Sequence, residues 1–196
     1  RVVPGPVENN ARVREAVCIQ TRKIFDSCRD KDCIEDLRIY PTVSSQAYIE
    51  SALSVRPKSA ELLYADVKVE EMSFNRGYYT VDVPYFYRIT GETFPGGNPI
   101  TGLSVFDKRV MLFGSEGSVK TFSSATPALS VDPSSPIGVV ETVDPIALSM
   151  RIADAECLQV SDLELRSIPE EILSGFGEEL VLNDAAKRLY VTLGQF

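Results

Sequence analysis

The sequence predicts a mainly β protein: an antiparallel β-sandwich, as one large or two small β units, with one or two short helices. Three observations predict it. Apolar and polar side chains alternate through long stretches, most clearly from Leu62 to Val69 and from Tyr79 to Ile89, which is the two-residue period of a half-buried strand. Turn-forming clusters such as Asn75-Arg76-Gly77 and Pro95-Gly96-Gly97-Asn98-Pro99 separate these stretches. The best helical stripe, in residues 44–53, is short.

Residues 1–12, rich in Pro, Asn and Arg, read as an N-terminal arm. The chain opens Arg1-Val2-Val3-Pro4-Gly5-Pro6 with neither Met nor an apolar leader, as in a processed or partial chain. Val13, Glu15, Val17, Ile19 and Thr21 alternate as a strand would through residues 13–25. The mixed-charge stretch from Asp26 to Arg38 reads as a solvated turn region or a short ion-paired helix. In residues 44–53, Ser44 or Ser45 is placed to cap a helix whose stripe is Tyr48, Ile49, Ala52 and Leu53, and Pro57 stops it.

Residues 62–69 and 79–89 form a long hairpin across Asn75-Arg76-Gly77. Tyr79, Val81, Val83, Tyr85, Tyr87 and Ile89 share one face; Thr80, Asp82, Pro84, Phe86, Arg88 and Thr90 share the other. Pro84 lacks an N–H and belongs at an edge or a bulge. Residues 100–113 are a further strand, turned at Gly114-Ser115-Glu116-Gly117 and returned by Val119 to Phe122. The first β unit is then 13–123, a Ser/Thr/Pro-rich linker or long loop is 124–136, and 137–196 is a second unit or completes the same sandwich. Residues 139–143, 146–153 and 157–168 read as strands. Pro169 to Leu173 reads as one helical turn ended by Gly175 and Gly177, and Leu189, Val191 and Leu193 as a last strand free to pair with a neighbouring copy.

The 196 residues, 44% hydrophobic and 24% charged, suffice for a core without staples. A formal charge of −8 argues against a phosphate-binding surface for nucleic acid and against docking on anionic membranes. No apolar run is long enough for a transmembrane helix. The chain has no His, hence neither the commonest general base nor the commonest zinc ligand, and no Trp. Neither a catalytic residue, a metal nor a cofactor is assigned.

Motif by motif, the bland reading is the stronger. Asp30-Lys31-Asp32-Cys33-Ile34-Glu35-Asp36 lacks the Gly and the distant Glu of a calcium loop. Gly114-Ser115-Glu116-Gly117-Ser118 lacks the Gly-Lys-Ser/Thr ending of a phosphate loop. Sequence cannot set the separation that would make glycosidase carboxylates of Glu70-Glu71, Glu170-Glu171 or Glu178-Glu179. Cys18, Cys28, Cys33 and Cys157 are open to three readings: reduced thiols, disulfides or cross-links between chains, and a zinc site whose knuckle spacing is wrong. Around Phe74, the aromatic cluster Tyr78, Tyr79, Tyr85, Phe86 and Tyr87 packs a core or, with Phe196, presents an interface.

Several stretches carry a resemblance: Arg14 through Cys33 with Ile34 through Tyr40, Asn75-Arg-Gly-Tyr-Tyr-Thr-Val-Asp-Val83, Gly102-Leu-Ser-Val-Phe-Asp-Lys-Arg-Val110 with Phe113-Gly-Ser-Glu-Gly117, and Leu189 through Phe196. In these the chain resembles a family of β-rich proteins of spore-forming Gram-positive bacteria of the clostridial and bacillus type. The resemblance implies sporulation or the spore envelope and brings no activity and no catalytic residue. Relatives of that type continue past the position of Phe196 with a Cys-containing tail. The expectation is therefore a non-enzymatic structural protein, in the spore envelope, an extracellular assembly or the cytoplasm. It would self-associate through strand edges and terminal arms into a filament, tube or sheet. The alternative is a binding module whose aromatic face takes a carbohydrate or a protein.

Overall fold

The computed structural model describes residues 23–29, 33–114, 138–142, 144–154, 168–182 and 185–194. Its elements are β1 (Ile34–Pro41), α1 (Val43–Ser51), β2 (Ser54–Ala65), β3 (Lys68–Glu71), β4 (Tyr78–Phe94), β5 (Pro99–Phe113), β6 (Ile146–Asp154), α2 (Glu170–Ser174) and β7 (Lys187–Gly194). The seven strands form one antiparallel sheet in the order β2-β4-β5-β1-β7-β6, with β3 on β4 beyond the end of β2. The protein is thus mainly β with two short helices, as the alternation implies. The sheet curls into a half-barrel that brings the edge strands β2 and β6 alongside one another.

Strand β1 makes the curl. Its residues Ile34 to Ile39 pair with β7, but Tyr40 and Pro41 pair with Leu103 and Gly102 of β5. One strand therefore serves both limbs of the sheet. The register shifts between Ile34 and Leu37, where Asp36 takes φ 55°, a left-handed conformation that Asp tolerates better than most residues. Gly102 is what lets the crossing close. A methyl there would fall 2.5 Å from Ile39 Cγ2, 2.7 Å from the Tyr40 carbonyl oxygen and 2.9 Å from Pro41 Cα.

The limbs enclose the main core. Leu37 and Ile39 of β1, Tyr87 and Ile89 of β4, and Leu189, Val191 and Leu193 of β7 meet there, with Ile49 of α1 closing one side. Met150 and Ile152 of β6 pack against this cluster. A second core lies on the opposite face of β4 and β5, where Phe86 and Leu103 meet Ile172 of α2 and Leu180. Both faces of β4 are covered in this region, so one strand feeds two cores.

Several sequence expectations are corrected. Residues 34–38 are strand, neither turn nor helix. Residues 23–25 and 138–142 are not strand. The cap of α1 is Thr42, whose hydroxyl accepts the Ser45 N–H at 3.3 Å; neither Ser44 nor Ser45 is the cap. Within the expected stripe, Ile49 and Ala52 are buried, but Tyr48 and Leu53 are exposed. The buried face of α1 is Ser45, Gln46 and Ile49, because the Ser45 hydroxyl accepts the Thr101 N–H at 2.9 Å. Pro84 sits inside the sheet, opposite the break between β2 and β3, where its carbonyl accepts the Asp66 N–H at 3.1 Å. Strand β7 is not an edge: β1 and β6 occupy its two sides. Strand β7 bonds to β1 and β6 bonds to β7, and both pack into the same core as the earlier strands.

The hairpin turn is as expected. The Tyr78 N–H donates to the Asn75 carbonyl at 3.1 Å, and Gly77 has φ 82°. The expected arm at 1–12, the strand over residues 13–22, the turn and return strand over 115–122, the linker at 124–136 and the strand over residues 157–167 lie outside the described residues.

Candidate interaction surface

The structure separates the sequence-predicted interface residues. Phe86 and Tyr87 are interior, 4% and 0% exposed, and Tyr79 is buried too. Phe86 faces the α2 core; Tyr87 faces the core between the limbs and stacks on Tyr85 with ring centroids 6.2 Å apart. Burial, with Tyr85 beside it, raises the Tyr87 phenol above its ordinary pKa. Of the two readings of the cluster from Tyr78 to Tyr87, core packing holds for Tyr79, Phe86 and Tyr87. Only Tyr78 of that run remains exposed. Cys28 and Cys33 are free and exposed. Cys18, Cys157 and Phe196 lie outside the described residues.

What remains outside is a cluster at the β3–β4 turn. Phe74 is 97% exposed. Tyr78 stands opposite Phe113, with the rings edge-on and their centroids 5.5 Å apart, and Met111 is the next same-face residue, opposite Thr80. Residues directly opposite in an antiparallel pair share a face, so Tyr78, Phe113 and Met111 form one apolar strip running to the tip. Residues 23–29 reach this end, where the Asp26 carboxylate accepts the Phe113 N–H at 3.0 Å. At the other end of β4, Leu53 is 82% exposed and its N–H donates to the Phe94 carbonyl. Phe94 is also exposed and carries the Arg56 guanidinium over its ring at 5.7 Å. Met111, Phe113, Leu53 and Phe94 were missed as site residues by sequence reasoning. The signal available was register: pairing residues 78–92 with 113–99 places Met111 and Phe113 beside Tyr78.

The outer face of the other limb is polar and ordered by cation–ring contacts. Tyr190 lies between Arg38 and Arg151 in the β1-β7-β6 ladder. The Arg151 guanidinium covers the Tyr190 ring at 4.7 Å and donates to Asp36 at 2.6 Å. Arg38 covers Tyr40 at 4.8 Å and donates to the Leu182 carbonyl at 3.1 Å. The Asp36 carboxyl is held below its ordinary pKa, first by the Arg151 hydrogen bond. A carboxyl with a lowered folded-state pKa adds stability above the unfolded value of about 3.9, and that stability is lost as pH falls through the folded value. Asp36→Asn keeps a residue tolerant of positive φ and removes only the charge. It is expected to cost no more than about 0.5 kcal/mol at neutral pH, because the pair is exposed and screened. The difference from the parent should vanish in acid; urea denaturation across pH checks this, and a constant difference would refute it.

Tyr190 itself is 1% exposed, and its buried hydroxyl has no hydrogen-bond partner among the described residues. Burying an unpaired hydroxyl costs about 1–3 kcal/mol. Tyr190→Phe is thus expected to be neutral or to stabilise by up to about 1 kcal/mol in chemical denaturation. A loss of more than that would show that the hydroxyl is satisfied in solution.

At the N-terminus of α1, the Glu178 carboxylate accepts from the Ser44 hydroxyl at 2.6 Å and the Ser44 N–H at 3.3 Å. These bonds, the hydroxyl first, lower its pKa. This is a cap that ties the α2 region to the helix.

A groove of about 260 Å³ lies between α2 and the sheet, with Tyr64, Arg88, Glu171 and Ile172 among its walls. Small-molecule sites are typically about 300–1,000 Å³ with convergent polar groups. The Arg88 guanidinium is already engaged by Glu61 at 3.1 Å, by the Gly175 carbonyl at 3.1 Å and by the Phe176 ring at 5.2 Å. Among the described residues, no three His, Cys, Asp or Glu side chains gather as metal ligands. No helix among them is long and apolar enough to cross a membrane. Comparison of the chain with protein-family models, with curated proteins and with solved structures finds no match.

Proposed function

We propose that this chain is a non-enzymatic structural subunit that self-associates into a larger assembly, a filament, tube or sheet, in the spore envelope that its resemblance implies. The observation that carries the reading is the apolar strip at the β3–β4 tip. There Phe74 is almost wholly exposed in the turn before β4, whose first residue, Tyr78, packs edge-on against Phe113. Large apolar side chains gathered on a surface mark a contact with another macromolecule. The net charge of −8 keeps dilute copies apart until that contact forms. Terminal-strand exchange is not part of this reading, since both sides of β7 are taken within the chain. Among the described residues, β2 with β3 and β6 are the strands paired with a neighbouring strand on one side only.

The test is sedimentation velocity over a wide concentration range, with negative-stain electron microscopy of the concentrated protein. Mass should rise with concentration, and particles of regular repeat should appear. A strictly monomeric protein at the highest concentration would remove the proposal.

A further inference from the structure

We draw no further inference here: the strongest candidate, the exposed apolar surface patch of Tyr78, Met111 and Phe113 at the β3–β4 turn, carries nothing beyond the self-association already proposed, because nothing in the structure shows what covers it.

Discussion

Gly102→Ala is expected to lower the melting temperature by about 6–12 °C, corresponding to roughly 3 kcal/mol in a chain of this size. The added methyl meets three atoms closer than real contacts allow, and two of them, the Tyr40 carbonyl oxygen and Pro41 Cα, are backbone. Side chains can change rotamer to relieve a clash; a strand must move. The strand in question is β1 at the two residues that join it to β5. Displacing them pulls Ile39 out of the main core and weakens the crossing that holds the limbs together. The double variant Gly102→Ala/Ile39→Ala distinguishes the cause. If the Ile39 methyl at 2.5 Å were the obstacle, removing it would recover stability. Because the backbone atoms remain at 2.7 and 2.9 Å, the double variant should be less stable than either single one. Recovery in differential scanning calorimetry would refute this account of the crossing.

Phe86→Ala should destabilise the fold by about 3–5 kcal/mol, the usual cost of emptying a buried aromatic site. Phe86 is 4% exposed and packs with Leu103, Ile172 and Leu180, while Tyr64 lies across it with ring centroids 6.2 Å apart. Its loss leaves a cavity beneath α2, a five-residue helix too short to be stable without packing. The contrast with Phe74 makes the prediction specific. Phe74→Ala should stay within about 0.5 kcal/mol of the parent, since that ring touches almost nothing within the chain. Urea denaturation of the pair decides between core and surface roles. A Phe86→Ala protein as stable as the parent, but altered in assembly, would return Phe86 to the surface.

That contrast also marks how far the sequence could be read. The period-2 run from Tyr79 to Ile89 assigned each residue to a face correctly, because pleating leaves no freedom once a strand is recognised. It could not say what covers the second face. The cover is Ile172 and Leu180, some 90 residues downstream of Phe86, and no local pattern ties them to β4. The failure at residues 34–38 has a similar cause. Glu35, Asp36 and Arg38 make the stretch look solvated, yet Asp36 is satisfied by Arg151 on β6 and Arg38 by Leu182 and the Tyr40 ring. A charged strand is legible only when its distant partners are known. In α1, the stripe Tyr48, Ile49, Ala52 and Leu53 had the right spacing for a buried face. The orientation was instead set by Ser45 and Gln46, whose polar groups bond to Thr101, Glu50 and the Lys187 carbonyl. At the tip, Phe74 belonged to the recognised aromatic cluster, but the strip of Tyr78, Phe113 and Met111 depends on β4–β5 register, which sequence left unassigned.

The pairing of Ile39 with Leu189 joins residues 150 positions apart. Such distant pairings are slow to form because loop closure precedes any reward. While the protein is being synthesised, β1 and β6 would emerge with the slot between them empty, each offering unpaired backbone to whatever strand is nearby. A nascent or truncated chain ending before residue 187 would hold that slot open indefinitely, and aggregation through it would be the natural outcome.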